Sequence, residues 1–355
     1  MNELIDPENS NAFKSRLSLV DFNNLGFGTY VSDHMLVANY SKGKWHNAEI
    51  VPYANLTLAP STLALHYGQT VFEGLKAFRM EDGRISIFRI EKHYQRFCRS
   101  LKRMAMPEVP FDIFNIGLQQ LVKIDKDWVP SKNGDSLYIR PFVFASEERF
   151  GVKVSEEYKF IIFTGPVGAY YSKPLRVKVE DVFMRAAKGG TGSAKCGGNY
   201  GGAFFPTQQA QKNGFDQILW TDGTPQLNIE ESGTMNAMFV IDQTVVTPSI
   251  SETILDGITR DSLLNLAKDL GYKVSIRPLS VFEIIEAHKK NLLHEAFGVG
   301  TAAVTSPISC IHIQGKDFFL PEYDRNSFCT KAHKLLSDIR YGKAEDKYCW
   351  NTILS

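Results

Sequence analysis

The chain has no run of 18 apolar residues, about the length a membrane-crossing helix requires, so none of its 355 residues reads as a membrane span. It also lacks an excess of either charge. Forty Lys and Arg stand against 39 Asp and Glu, a formal net charge of +1, and no bulk field favours nucleic acid or an anionic membrane. Cysteine is sparse and unpaired in sequence: Cys98, Cys196, Cys310, Cys329 and Cys349 form an odd set with no C-x-x-C. That argues against a disulfide framework or a zinc site. The eight histidines show no H-E-x-x-H or similar ligand spacing, so no metal is expected. The first ten residues carry Glu3, Asp6 and Glu8 instead of a basic start followed by an apolar stretch. This argues against a secretory signal or a transit peptide, and the expected location is the cytoplasm. No internal repeat or low-complexity tract is present.

What remains is ordinary globular material, 43% hydrophobic and 22% charged. At roughly 150 residues per domain the length suggests two domains. Ile85–Phe88 alternates like a strand, and Tyr94, Phe97, Leu101 and Met104 then follow helical spacing. Pro107 and Pro110 break the chain before a second amphipathic helix over Phe111 to Lys126. Leu137 to Phe144 and Lys159 to Thr164 read as strands. Gly165-Pro166-Val167-Gly168 reads as punctuation, so the domains are placed at 1–164 and 174–355, with an interdomain loop over 165–173. Beyond it a helix is expected over Asn199 to Asn213, capped by Gly214. Two hairpins are expected, Gln217–Thr221 with Gln226–Ile229 and Ala237–Ile241 with Thr244–Thr247. Further helices are expected over Ile258 to Leu270, Ser280 to Lys290 and Asp324 to Tyr341. Strands and helices mix without a strict βαβ rhythm, which favours α+β over a doubly wound sheet.

Three segments have the glycine and threonine usage of anion or cofactor loops. In Gly189-Gly190-Thr191-Gly192-Ser193-Ala194-Lys195-Cys196-Gly197-Gly198-Asn199-Tyr200-Gly201-Gly202, one lysine lies among seven glycines. Glycine lets backbone approach a bulky ligand, and a confined lysine can serve as a nucleophilic amine. The ordinary alternative is a flexible loop with a solvated lysine. Leu255-Asp256-Gly257-Ile258-Thr259-Arg260-Asp261 opens an amphipathic helix whose first amides suit an anion. Plain helix capping is the alternative there. Gly298-Val299-Gly300-Thr301-Ala302-Ala303 is a small-residue turn of the same kind, equally readable as a strand-to-turn connection.

Taken together with Asp33-His34-Met35, Leu65-His66-Tyr67-Gly68, Phe72-Glu73-Gly74-Leu75-Lys76-Ala77-Phe78-Arg79, Tyr138-Ile139-Arg140-Pro141 and Glu231-x-Gly-Thr-Met-Asn236, these segments form a recognisable series. From about Phe27 to Tyr341 the chain resembles the branched-chain-amino-acid aminotransferases, of the fold-type-IV pyridoxal-phosphate (PLP) enzymes. The resemblance implies a two-domain α+β fold like that of D-amino-acid aminotransferase, with PLP at the domain interface. It implies transamination between leucine, isoleucine or valine and 2-oxoglutarate by a ping-pong mechanism, in a homodimer whose other partners are small amino and 2-oxo acids.

Residue by residue, Lys195 matches the Schiff-base lysine that also moves the substrate proton. Glu231 matches the carboxylate paired with the pyridine nitrogen; Glu230 beside it is the competing assignment. Tyr200 matches the partner of the ring oxygen O3′. Arg96, the amides of Ile258 and Thr259, and the hydroxyls of Thr259 and Thr301 match the phosphate site. Tyr67, Arg140, Thr234 and the Ala302 amide match readers of the substrate carboxylate, and Phe72, Tyr138 and Tyr200 an apolar wall. Phe150 and Val152 match a loop reaching the partner subunit's site, and Tyr170 an interdomain loop covering the site. Two departures stand out. Val31, or Tyr30 with a one-residue offset, occupies an expected aromatic position, and the loop after Tyr171 is short. Animal relatives carry a C-x-x-C redox pair just after the Gly-Thr-Ala turn, where this chain has Ala303 and Ser306. D-amino-acid transamination, aminodeoxychorismate lysis and a catalytically silent PLP-binding protein are the rival readings. The Phe72–Arg79 block and Gly233-Thr234-Met235-Asn236 argue against the first two, and joint retention of Lys195, Glu231, Tyr200 and Arg96 against the third.

Overall fold

Alternating apolar residues in the first half of the chain build one antiparallel sheet. In the computed structural model, which describes residues 14–168, 170 and 173–354, its strands are β1 (His34–Ser41), β2 (Lys44–Trp45), β3 (Glu49–Pro52), β4 (Thr70–Phe72), β5 (Leu75–Arg79), β6 (Ile85–Phe88), β7 (Ser136–Ala145) and β8 (Tyr158–Val167). A strand from the far end of the chain, Asn351–Ile353, joins its edge, giving the order Asn351–Ile353, β6, β5, β7, β8, β1, β2, with β3 on β1 and β4 on β7. Three helices accompany it: α1 (Leu63–Tyr67), α2 (Ile90–Arg103) and α3 (Phe111–Ile124). Phe97 of α2, Phe114 of α3 and Phe160 of β8 are fully buried and meet ring to ring at 5.6–6.3 Å, the centre of this unit's core.

The second sheet is mixed. It comprises β9 (Leu175–Glu180), β10 (Gln217–Thr221), β11 (Ile229–Ser232), β12 (Met235–Ile241), β13 (Thr244–Thr247), β14 (Lys273–Ile276), β15 (Leu293–Gly300), β16 (Val304–Ile313) and β17 (Lys316–Phe319). The terminal strand Asn351–Ile353 is β18. The order is β11, β10, β9, β16, β15, β12, β13, β14, with β17 on β16. Its helices are α4 (Gly198–Gly201), α5 (Phe204–Lys212), α6 (Ile258–Asp269), α7 (Val281–Lys289) and α8 (Phe328–Arg340). Ser280 caps α7 by accepting from the Glu283 N–H at 3.1 Å.

Several expectations are corrected. Gly165, Pro166 and Val167 are not linker but the end of β8, paired with Tyr138, Leu137 and Ser136. β1 pairs with β8 only as far as Phe163, and the Ser32 N–H then donates to the Thr164 carbonyl at 2.8 Å. Ala169, Tyr171 and Ser172 of the expected loop, the shortened loop after Tyr171 and the acidic start at Glu3, Asp6 and Glu8 lie outside the described residues. The helix expected over Asn199 to Asn213 is two helices, broken at Gly202-Ala203. The strand after β10 begins at Ile229, not Gln226. The Asp222 carboxylate holds the intervening loop by accepting from Thr224, through its N–H and hydroxyl, and from Asn228, through its N–H and amide, at 2.8–3.1 Å. The last helix begins at Phe328, because Asp324 instead forms a turn with Asn326 and Ser327. The buried Glu295 carboxylate then accepts the Phe328 and Cys329 N–H groups.

Two compact units result. The described residues up to Tyr170, Ala194–Gly198 and the chain from Ile339 on pack together as one. The stretch up to Ser193 and Asn199–Asp338 form the other. The simple division at 165–173 thus assigns two segments differently, and both are short pieces whose pairing partners lie far away in sequence.

Candidate active site

The seat of Lys195 follows from its neighbours. Ala194 and Cys196 are buried in the first unit's core, while Lys195 between them is half-buried. The segment is fastened to β4. The Phe72 N–H donates to the Lys195 carbonyl at 3.0 Å, the Gly197 N–H donates to the Thr70 carbonyl at 3.3 Å, and Cys196 bridges Val71. The Ser100 hydroxyl accepts from the Lys195 N–H and donates to the Arg96 carbonyl, both at 3.0 Å. Lys195 Nζ lies 4.5 Å from the Phe72 ring centroid.

Arg96 is buried in α2, where the helix pattern alone left its side open. Its Nε and Nη2 both donate to the Glu73 carboxylate, at 2.9 and 2.5 Å, and His93 Nδ1 lies 3.1 Å from the same carboxylate. Complete burial works to raise the Glu73 carboxyl, but the Arg96 guanidinium and His93 together hold it far below the usual range. Burial pushes the His93 imidazole down to about 4. Nearby, Arg140 stacks over both Phe72 and Tyr138, at 4.8 and 5.1 Å, and donates to the Tyr138 hydroxyl at 3.1 Å. Gly74 is required here, since a Cβ would fall 2.0 Å from that hydroxyl. Phe27 packs edge-on against both Tyr138 and Tyr170.

The second unit supplies a different set. Adjacent side chains of β11 point to opposite faces, which separates Glu230 from Glu231. Both are buried. Glu231 accepts from the Leu255 N–H at 2.8 Å and from Asn236 Nδ2 at 3.3 Å, and Arg185 Nε lies 3.2 Å from its other oxygen. Glu230 takes the Thr253 hydroxyl instead, its other oxygen has no hydrogen-bond partner among the described residues, and burial raises its carboxyl above the usual range. Arg185 also donates to the Gly192 and Thr253 carbonyls, and the Gly189 N–H donates to Glu252, so the glycine loop is tied down. At the start of α6, Gly257 provides no side-chain cap. A Cβ there would strike Asn236 Oδ1 at 1.8 Å, so the chain needs glycine at this point. Ile258 and Thr259 are buried in the first turn. The Arg260 guanidinium donates to the Thr247 hydroxyl and the Pro248 carbonyl, a structural role. Thr301 and Ala302 form the turn from β15 to β16, closed by Val304 at φ 59°. Tyr200 is half-buried in α4, and Thr234 is exposed beside Gly233.

Lys195, Arg96, Phe72, Tyr138 and Arg140 are thus assembled within one unit, and Glu231, Thr259, Ile258, Thr301, Ala302, Thr234 and Tyr200 belong to the other. Tyr67, Phe150 and Val152 lie on the first unit's surface, 43%, 99% and 83% exposed. Leu56, Leu58, Leu65, Phe72, Phe142 and Phe163 help line an apolar cavity of about 410 Å³ there, with Arg140 as the only charged member among the described residues. Tyr30 packs on the core of this unit. Sequence reasoning missed Glu73, His93, Ser100, Arg185 and Asn236. Glu73 and Asn236 stood inside quoted motifs, and His93 lies three residues before Arg96 on one helix face. Arg185 carried no local signal.

PLP requires an amine, an anion cradle and an acid for its ring nitrogen. One unit offers Lys195 and a buried arginine. The other offers a buried, oriented carboxylate and a helix N-terminus kept open by glycine. The residues fit the cofactor.

The thiols are poorly placed for redox control. Cys196 and Cys310 are buried, and burial pushes the Cys329 thiol up to about 12 and raises Cys310 and Cys98. Only Cys349, in the terminal segment, is exposed. With PLP bound, low doses of peroxide or disulfide reagent are expected to leave activity nearly unchanged. The check is activity against oxidant dose, with and without later dithiothreitol. Reversible inactivation at low dose contradicts the expectation, and its loss in Cys196→Ser would place the sensitivity at Cys196.

Comparison with known proteins gives the same class. The family model described as amino-transferase class IV matches residues 70–311. A probable branched-chain-amino-acid aminotransferase of Staphylococcus epidermidis is 44% identical over 346 residues, covering 95% of this chain and 96% of the relative. Branched-chain-amino-acid transaminase 1 of Bacillus subtilis is 42% identical over 355 residues, covering 99% of each. Among solved structures, the branched-chain amino acid aminotransferase of Escherichia coli superposes with a TM-score of 0.74 at 25% identity, covering 91% of this chain and 99% of that one. The chain belongs to the class IV aminotransferases, of fold type IV, and within them to the branched-chain-amino-acid aminotransferases.

Proposed function

We propose that the chain catalyses PLP-dependent transamination between branched-chain L-amino acids and 2-oxoglutarate. Leucine, isoleucine or valine gives its amino group in the first half of a ping-pong cycle, and 2-oxoglutarate leaves as L-glutamate in the second. The seat of Lys195 carries the reading: a half-buried lysine between two buried residues, its backbone tied to Arg96 through Ser100. Bound PLP supplies the electron sink for breaking the Cα–H bond. Lys195 Nζ would hold the cofactor, yield it to the substrate amine, then take the proton from Cα and deliver it to the cofactor's C4′ carbon, the reverse transfer serving the second half of the cycle. Glu231, positioned by Arg185, Asn236 and the Leu255 amide, keeps the pyridine nitrogen protonated. Arg96, the Ile258 and Thr259 amides, and the Thr259 and Thr301 hydroxyls hold the phosphate, and Tyr200 holds O3′. Arg140, Tyr67, Thr234 and the Ala302 amide read the substrate carboxylate; Phe72, Tyr138 and Tyr200 wall the branched side chain.

The working form is a cytoplasmic homodimer. Leu56, Leu58 and Leu65 around the apolar cavity are partly exposed, and Phe150 and Val152 are almost fully so, which supports burial of this face by a second copy. Phe150 and Val152 then reach the partner's site. Among the described residues no helix is long and apolar enough to cross a membrane.

The test is a substrate panel with purified protein and 2-oxoglutarate. Leucine, isoleucine and valine should exceed alanine in kcat/KM by at least roughly tenfold, because each methylene in an apolar pocket is worth about that much or more. D-amino acids should be inert. A D-alanine rate above that of L-leucine overturns the reading, and a single-chain mass in gel filtration of active enzyme removes the dimer.

A further inference from the structure

The Glu73 carboxylate is more heavily engaged than any role so far requires. It is fully buried. Its Oε1 accepts from the Gly74 N–H at 2.7 Å, from His93 Nδ1 at 3.1 Å and from Arg96 Nη2 at 2.5 Å, and its Oε2 accepts from Arg96 Nε at 2.9 Å. The Arg96 and His93 side chains are only 5% and 2% exposed. His93 stays neutral at ordinary pH, because burial outweighs the neighbouring carboxylate. It therefore contributes an N–H and no charge to the Glu73–Arg96 pair. Glu73 is itself fixed, since its N–H donates to the Pro141 carbonyl at 2.7 Å and Phe72 before it pairs with Lys195.

We propose that Glu73, steadied by His93, is the positioning residue that aims Arg96 at the cofactor phosphate and so makes cofactor affinity depend on that phosphate. The inference rests on the reading of Arg96 as a phosphate ligand. A two-point fork to a carboxylate fixes the plane and the direction of a guanidinium, not merely its charge. Glu73 holds the Nε–Nη2 edge, so the plane of the whole guanidinium follows the carboxylate. Because Ser100 joins the Arg96 and Lys195 backbones, aiming the guanidinium sets its place relative to the lysine within a single unit.

The experiment titrates full-length protein stripped of cofactor with PLP and with pyridoxal, which has no phosphate, and takes the ratio of the two affinities. Arg96→Ala should lower the PLP preference by roughly 10- to 100-fold, the range for losing charge-assisted hydrogen bonds. Glu73→Gln should lower it by a similar factor and leave pyridoxal binding unchanged, and the double variant should lose no more than Arg96→Ala alone. His93→Phe should lose roughly 3- to 10-fold, as for a neutral hydrogen bond. Equal weakening of both ligands in Glu73→Gln means a merely structural role and overturns the inference. Tighter PLP binding overturns it too, because Glu73 would then only be neutralising Arg96. If Glu73→Gln does not fold, an unchanged ratio in His93→Phe overturns it instead. An unchanged ratio in Arg96→Ala separately removes the reading of Arg96 on which the inference stands.

Discussion

Lys195→Ala is expected to leave the fold intact and to lower turnover by at least roughly 10⁴-fold, the upper end of what one acid–base group contributes. The two halves of that result have separate causes. The segment is placed by backbone bonds, the Lys195 N–H to Ser100 and the Phe72 N–H to the Lys195 carbonyl, and by the buried flanks Ala194 and Cys196. Alanine keeps all of them, so the thermal melting point should move by only a few degrees. The lost amine, in contrast, is the group proposed both to hold the cofactor and to move the Cα proton, so its removal should abolish both tasks. Melting by circular dichroism and leucine turnover with 2-oxoglutarate, measured on one preparation, check both halves. Near-normal turnover would sink the assignment of the whole site.

Glu231→Gln should still bind PLP and should slow the proton-abstraction step by roughly 10²- to 10³-fold, the scale of losing one electrostatic stabiliser. A neutral amide cannot hold a pyridinium proton against solvent. Its oxygen can still accept from the Leu255 N–H, so the local chain should keep its path, although Arg185 loses its ionic partner. Glu230→Gln should change turnover by less than about threefold, because Glu230 lies on the other face of β11 and bonds Thr253. Single-turnover rates on cofactor-saturated protein, with a deuterium effect at the substrate Cα, separate the two variants. If Glu230→Gln proves the slower one, the assignment across this pair is reversed.

The same pair illustrates how far the sequence could be read. Two adjacent glutamates are equivalent in composition, and only the motif spacing to Gly233-Thr234 favoured Glu231. Motif order is most informative where a backbone shape leaves a local record, as at Gly257, where a side chain collides with Asn236. It worked less well at element ends. Asp222 and Asp324 spend their carboxylates on local turns, which delays β11 and α8 beyond the points that hydrophobic pattern alone indicates.

Hydrophobic period, turn residues and motif order were enough to establish an α+β chain, most of its strands and helices, and a single candidate for the cofactor lysine, because each depends on residues close together in sequence. The bonds of Arg96 with Glu73, 23 residues before it, and of Glu231 with Arg185, far upstream, have no such local record. Neither does the return of Ala194–Gly198 and Asn351–Ile353 to the first unit, where they pair with β4 and β6. Those arrangements come from burial. A guanidinium or carboxylate withdrawn from water must find its partner wherever the packed chain supplies one, and only the folded backbone decides which residue that is.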